Sequence, residues 1–169
     1  MSVAMYDLTI PVLIRGLGVL KDYLDKAATF AAEKGIDPAV LLDARLAPDM
    51  LPLSGQVQRA SDSAKGGIGR LTGVAVPSFP DTETGFAELK ERIDKTVAFL
   101  KSVGPDRFEG SESRPVELTF GGAKTTLRGE RYLLVVLLPN FFFHIATAHG
   151  ILRHAGLPIG KANYLGRFD

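Results

Sequence analysis

Residues 8–34, LTIPVLIRGLGVLKDYLDKAATFAAEK, decide the fold class. Leu13, Leu17, Leu20, Leu24, Ala27 and Ala31 recur at steps of three and four, which at 3.6 residues per turn puts them on one side of a helix. Gly35 supplies the stop, because a glycine accepts the left-handed conformation that ends most helices. Asp7 and Thr9 are candidate caps and Pro11 fits a first turn. Asp37-Pro38 pairs a cap with a first-turn residue and predicts a short helix over Asp37 to Leu42, ending near Ala44 to Ala47.

The same stripe returns twice. Leu53, Val57, Ala60, Ala64, Ile68 and Leu71 predict a long helix following Pro48, with Pro52 near its start. Gly66, Gly67 and Gly69 weaken its last turns, so that end either frays or packs closely on a neighbour. After a loop over Gly73 to Asp81, Thr84 is a plausible cap for a helix to Ser102 with the stripe Phe86, Leu89, Ile93, Val97 and Leu100. The run Lys90, Glu91, Arg92, Asp94 and Lys95 on that helix reads most simply as a solvated face.

Between Phe108 and Arg128 the period changes to two. Val116, Leu118 and Phe120 alternate with Glu117 and Thr119, and Gly121-Gly122 precede Lys124 to Leu127, the pattern of a β-hairpin. From Gly129 to His154 the chain is apolar and helical again. Pro139 inside it predicts a kink or break, with a new helix starting there. Gly156 and Pro158 close that helix and Lys161 to Asp169 reads as a tail. The expected fold is therefore mainly α: a four-helix bundle with one small hairpin before the last helix, one domain over residues 1–169.

Composition narrows the function classes. The 169 residues carry 20 Lys+Arg against 19 Asp+Glu, a net charge of +1 that gives no reason to expect nucleic acid or an anionic membrane. No stretch reaches the ~18 uninterrupted apolar residues of a membrane span, and the N-terminal stretch lacks a basic leader and cleavage site, so a cytoplasmic protein is expected. Zero Cys excludes disulfides, a cysteine nucleophile and thiolate metal sites. Histidine is then the remaining nitrogen ligand.

The informative residues are polar ones on apolar stripes, since a buried polar group left unpaired costs about 1–3 kcal/mol. Gln56 lies three after Leu53 and four before Ala60, facing the bundle interior. His144 lies three after Phe141 and four before Ala148, with Asn140 one turn earlier on the same side and Thr147 about a turn later. His144, His149 and His154 are spaced by five, which rotates each by about 140° from the last, so they do not share one site. His154 suits a helix C-terminus and His149 an edge or surface. The plainer reading of His144 is a core histidine satisfied by hydrogen bonds to Gln56 or Asn140.

Other patterns carry less. Ser54, Ser61 and Ser63 match no nucleophile elbow. Gly66-Gly67-Ile68-Gly69 lacks the preceding strand and the following Lys-Ser/Thr of a phosphate loop. Phe141-Phe142-Phe143 covers more than one helix face, so it is core packing plus an exposed edge, or the surplus ring lies in a helix–helix dimer interface.

Leu138-Pro139-Asn140-Phe141-Phe142-Phe143-His144, with Thr147-Ala148, Ile151-Leu152-Arg153-His154-Ala155-Gly156, Gly160-Lys161 and Tyr164-Leu165-Gly166, resembles the C-terminal signature of a branch of the DinB/YfiT-like superfamily whose function is unassigned. Asp49-Met50, Pro52-Leu53 and Gln56-Val57-Gln58 resemble that branch's second-helix motif, and Met5-Tyr6-Asp7 extends the likeness to the start of the chain. The resemblance implies a four-helix bundle, often dimeric, whose metal-binding members hold a divalent ion with one His on the second helix and a His-x-x-x-His pair on the last. Matched by motif, those positions fall on Gln56, Asn140 and His144. A carboxamide oxygen is a weak ligand for zinc-like ions, so at most weak divalent-metal binding is expected at this triplet and no resident cofactor.

Three functions follow. The first is a soluble homodimer with a degenerate, metal-free pocket at Gln56, Asn140, His144 and Thr147 that takes a small polar ligand. The second is a divalent-metal-dependent thiol transferase or hydrolase-like enzyme in which Asp62, Asp49 or His149 completes the shell around His144. In the third, His144 is a metal-free general base.

Overall fold

The computed structural model describes residues 4–166, with the Phe120 side chain outside the described set. Helix α1 spans Met5–Lys34, α2 Pro38–Leu42, α3 Leu53–Thr72 and α4 Phe86–Lys101. A 3-10 turn over Pro105–Phe108 leads to the hairpin β1 (Pro115–Phe120) and β2 (Ala123–Arg128). The chain then runs through α5 (Gly129–Tyr132), a π-helical turn (Leu133–Leu137) and α6 (Leu138–His154), and ends in α7 (Lys161–Leu165). Each long helix packs on two others in the cyclic order α1, α4, α3, α6. That is the expected four-helix bundle with a hairpin before its last helix.

The stripes are the core. All six named positions of α1 and all six of α3 are buried. On α4, Phe86, Leu89, Ile93 and Leu100 are buried while Val97 is half-buried. Thr96 beside it turns fully inward, and its hydroxyl pairs with Ser61 of α3 at 2.8 Å. Gly35 adopts φ +63° and ends α1, and the Asp37 side chain accepts from the Ala39 amide to start α2.

Several boundaries differ from expectation. α1 begins at Met5, so Pro11 sits inside the helix rather than in its first turn. α3 starts at Leu53 with Pro52 as its cap, because Pro48 to Leu51 form turns. Gly85 caps α4, and Thr84 instead donates its backbone and hydroxyl to Glu88 at 2.5 and 3.1 Å. The supposed tail holds α7, which Arg15 of α1 contacts through the Leu165 carbonyl. Residues 167–169 of that tail lie outside the described residues.

Pro139 produces a π turn rather than an interruption. A proline has no N–H to donate and its ring collides with the carbonyl four residues back. The wider Leu133–Leu137 turn, in which the Leu138 amide bonds to Leu133 five residues earlier, relieves both constraints and lets α6 begin at Leu138. The combined Gly129–His154 helix is long and apolar enough to cross a membrane by length and composition, with mean hydropathy 1.6 over its most apolar window. Its Leu133, Leu137, Phe141, Ile145 and Ile151 are instead packed in the bundle core.

The glycines of α3 pack rather than fray. A Cβ on Gly67 would overlap the Leu137 methyl groups, so glycine there lets the π turn lie directly against α3. At the hairpin tip Gly121 and Gly122 both have positive φ, +55° and +85°, and connect Phe120 to its partner Ala123.

The charged run on α4 corrects the sequence reading. Lys90, Glu91, Asp94 and Lys95 do face outward, and Lys90 and Asp94 pair with Asp25 and Lys21 of α1. Arg92 does not: its side chain is 1% exposed. It pairs with Glu83 at 2.8 Å, Asp62 at 2.9 Å and Asp81 at 3.0 Å, and donates to the Pro80 carbonyl. Lys65 of α3 reaches the same cluster, with Asp62 at 3.2 Å, the Pro77 carbonyl at 3.1 Å and the Phe79 ring 3.8 Å from its nitrogen. These two cations pin the 73–85 loop across α3 and α4. The period of α4 alone misses Arg92 because its partners lie off that helix, Asp62 on α3 and Asp81 and Glu83 on the preceding loop.

Candidate functional site

α3 and α6 carry the site. Gln56, Arg59, Ser63 and Arg70 are separated by three, four and seven residues, which aligns them along one side of α3. That side forms a wall of a groove of about 870 Å³ whose opposite wall is the α5–α6 helix and whose far end is covered by β1. His144, Asn140 and Ser63 line one end, and Tyr132, Arg70 and Glu117 the other. Between them lie Leu118, Val135, Val136 and Leu137.

Gln56 and His144 meet as buried partners. Gln56 is 2% exposed and His144 9%, and the imidazole Nδ1 lies 2.8 Å from Gln56 Oε1. Gln56 Nε2 donates to the Leu51 carbonyl at 3.0 Å. With its nitrogen so engaged, the amide offers its oxygen to the ring, so Nδ1 carries the imidazole proton. Nε2 is left with its lone pair. It makes no hydrogen bond among the described residues and is not among their sealed, unpartnered atoms, so the groove reaches it. Burial lowers the His144 pKa below its ordinary 6.5, and the Arg59 charge lowers it further. The ring is neutral near pH 7.

Asn140 is placed differently from expectation. It is on the groove side of α6 but exposed, and its Nδ2 donates to Ser63 Oγ at 2.7 Å instead of turning to His144. It stands in the first turn of α6, directly after Pro139, where Ser63 of α3 is the partner within reach. Thr147 is buried and does not line the groove. The groove end therefore brings together Gln56, His144, Asn140 and Ser63, the last of which sequence reasoning set aside. Its place on the Gln56 side of α3 was the available signal.

His149 is half-buried at the edge of the bundle. Its Nδ1 is 2.7 Å from the hydroxyl of the buried Tyr23, and its ring meets Tyr164 edge-on. Burial pushes the Tyr23 phenol well above its ordinary range, with the Tyr164 and Asp22 charges adding to it, so the phenol donates and the imidazole accepts. Burial also lowers the His149 pKa, as does Arg153. This contact joins α1, α6 and α7, away from the groove.

As a metal centre the triplet has a poor donor set. Gln56 Oε1 is occupied by the His144 N–H, which leaves one imidazole nitrogen and the Asn140 amide oxygen, a weak ligand for zinc-like ions. Asp62, named as a substitute ligand, is held by Arg59, Lys65 and Arg92. Among the described residues no three His, Cys, Asp or Glu side chains cluster as a metal site.

Residues 5–165 match the family described as Domain of unknown function (DUF1993). The crystal structure of a DinB family member protein from Shewanella denitrificans is 38% identical, with TM-score 0.89 over 97% of this chain and 93% of that one. No functionally curated protein matches the chain. A match over nearly the whole length, together with a shared backbone at that identity, establishes that this chain belongs to the DUF1993 family and is DinB-like.

Proposed function

We propose that this protein is a metal-free member of the DinB-like bundles that binds a small polar ligand at the Gln56, Asn140, His144 and Ser63 end of its groove. The observation that carries the reading is the Gln56–His144 hydrogen bond. It occupies the positions at which the resemblance puts metal ligands, and turns them into a fixed neutral imidazole with one open acceptor. Asn140 Oδ1 adds a second acceptor and the Ser63 hydroxyl, which already accepts from Asn140, retains its own proton to donate. Such a set suits a ligand group that both gives and takes hydrogen bonds, such as a hydroxyl.

Metal analysis of protein purified without chelator or a nickel column tests it, together with a thermal-shift screen of small alcohols, acids, thiols and sugars. A ligand that raises Tm in the native protein but not in His144→Ala is the expected result. Stoichiometric zinc, iron or nickel lost in His144→Ala overturns the metal-free reading, and a flat screen overturns ligand binding.

A homodimer through α6 belongs to the same proposal. Phe143 is 54% exposed and shares a face with Ala146 and Gly150, beside which Leu46 packs. Sedimentation that gives a dimer converted to monomer by Phe143→Glu supports it, and a native monomer at micromolar concentration removes it. A cytoplasmic location goes with this reading and is checked by cell fractionation.

A further inference from the structure

The far end of the groove has its own chemistry. Arg70, exposed on α3, has no carboxylate within ion-pair distance among the described residues, whereas Arg59 on the same wall is paired to both Asp62 and Asp81. Beside Arg70 stands Tyr132, 4% exposed, whose phenol lines the groove. Burial raises that phenol's pKa, and the charge of the adjacent Arg70 guanidinium acts against the rise. A buried phenol and a guanidinium without a carboxylate partner at the end of a groove are the usual elements of a carboxylate or phosphate contact.

Ser63 and Arg70 are seven residues apart on one face, or about 10 Å along the helix. Val135, Val136, Leu137 and Leu118 cover the interval. Resting on the ligand-binding reading above, we propose that the ligand is an amphipathic anion: a hydroxyl at the His144 end, an apolar chain of about 10 Å over the valines, and an acidic group held by Arg70 and Tyr132. Glu117 of β1 lines the same end without pairing to Arg70, so it opposes the acidic group by like charge and sets an upper limit on its affinity.

Calorimetry with three probes tests the assignment: omega-hydroxydecanoate, its neutral counterpart decanediol, and decanoate, which lacks the hydroxyl. Imidazole nitrogen shifts of His144 report contact at the other end. The hydroxy acid is expected to bind about tenfold tighter than the diol. Arg70→Gln is expected to erase that preference without changing diol affinity, Arg70→Lys to keep part of it, and Glu117→Gln to tighten the acid.

The diol perturbing His144 and binding as tightly as the acid, or an acid preference that survives Arg70→Gln, overturns the anionic class and leaves the ligand-binding reading standing. Decanoate and the hydroxy acid binding equally through Arg70, with His144 shifts unmoved, overturns the role given to His144 and leaves the anion contact. Binding of none of the three overturns the amphipathic anion, and the ligand-binding reading then stands or falls on the thermal-shift screen.

Discussion

Replacing Gln56 by Met tests the His144 assignment most directly. The side chain keeps its length and approximate volume but loses the oxygen 2.8 Å from Nδ1 and the nitrogen that donates to Leu51. The Leu51 carbonyl belongs to an exposed residue and can turn to water, so that loss is small. The imidazole cannot, since His144 is 9% exposed and Nδ1 faces inward against α3. A buried donor without a partner costs about 1–3 kcal/mol. In a chain of this size 1 kcal/mol is roughly 2–4 °C, so Tm should fall by about 2–12 °C. Part of that cost is recoverable if the ring moves its proton to Nε2, where groove water accepts it.

A double-mutant cycle with His144→Phe isolates the pair, because that change leaves Gln56 Oε1 as the orphan and the double variant leaves none. The double variant should therefore be more stable than the sum of the singles by about 1 kcal/mol, read by urea denaturation. Nitrogen shifts should show the proton on Nδ1 in the native protein. Effects that add to within ~0.5 kcal/mol, or a native ring protonated at Nε2, would falsify the fixed-tautomer argument.

Four further outcomes follow from the packing. Burial holds the pKa values of His144 and His149 below 6.5, so the unfolded chain takes up protons that the folded chain refuses; stability is full above 6.5 and falls as pH drops below it, and His144→Phe should flatten part of that slope in denaturation measured from pH 7 to 5. Burial alone would raise the Glu83 pKa, but its hydrogen bonds from Arg92 and Gln58 prevail and lower it, so a second loss begins as pH falls below the ordinary 4.5. Gly67→Ala drives a methyl into Leu137 and should cost about 1–3 kcal/mol, with Leu137→Ala in the same chain recovering part of it; an undiminished Tm in the single variant contradicts the close approach of α3 to the π turn. Arg92→Ala removes the cation shared by Glu83, Asp62 and Asp81, should cost about 3 kcal/mol, and should make the 73–85 loop the first site cut in limited proteolysis. Unchanged stability and cleavage there would mean that Lys65 alone holds the loop.

The sequence by itself determined the bundle, because burial of an apolar stripe is enforced position by position and the stripes of α1 and α3 could be read at every turn. It determined the hairpin for the same reason, with the period of two and the paired glycines agreeing. It also singled out Gln56 and His144, since a polar residue in helical phase with Leu53 or Phe141 has to face inward. Tertiary structure alone decided which groups those residues meet. Asn140 is in phase with His144, but its amide bonds Ser63, a partner that only the packing of α6 on α3 supplies. Arg92 reads as surface on its own helix and is buried because acids from the preceding loop fold back over it. Arg70 and Tyr132, far apart in the chain, share one groove end only once α3 and α5 are packed. Periodicity reports which side of an element is covered; partners are set by how the elements are assembled, and the proposed ligand chemistry rests on the partners.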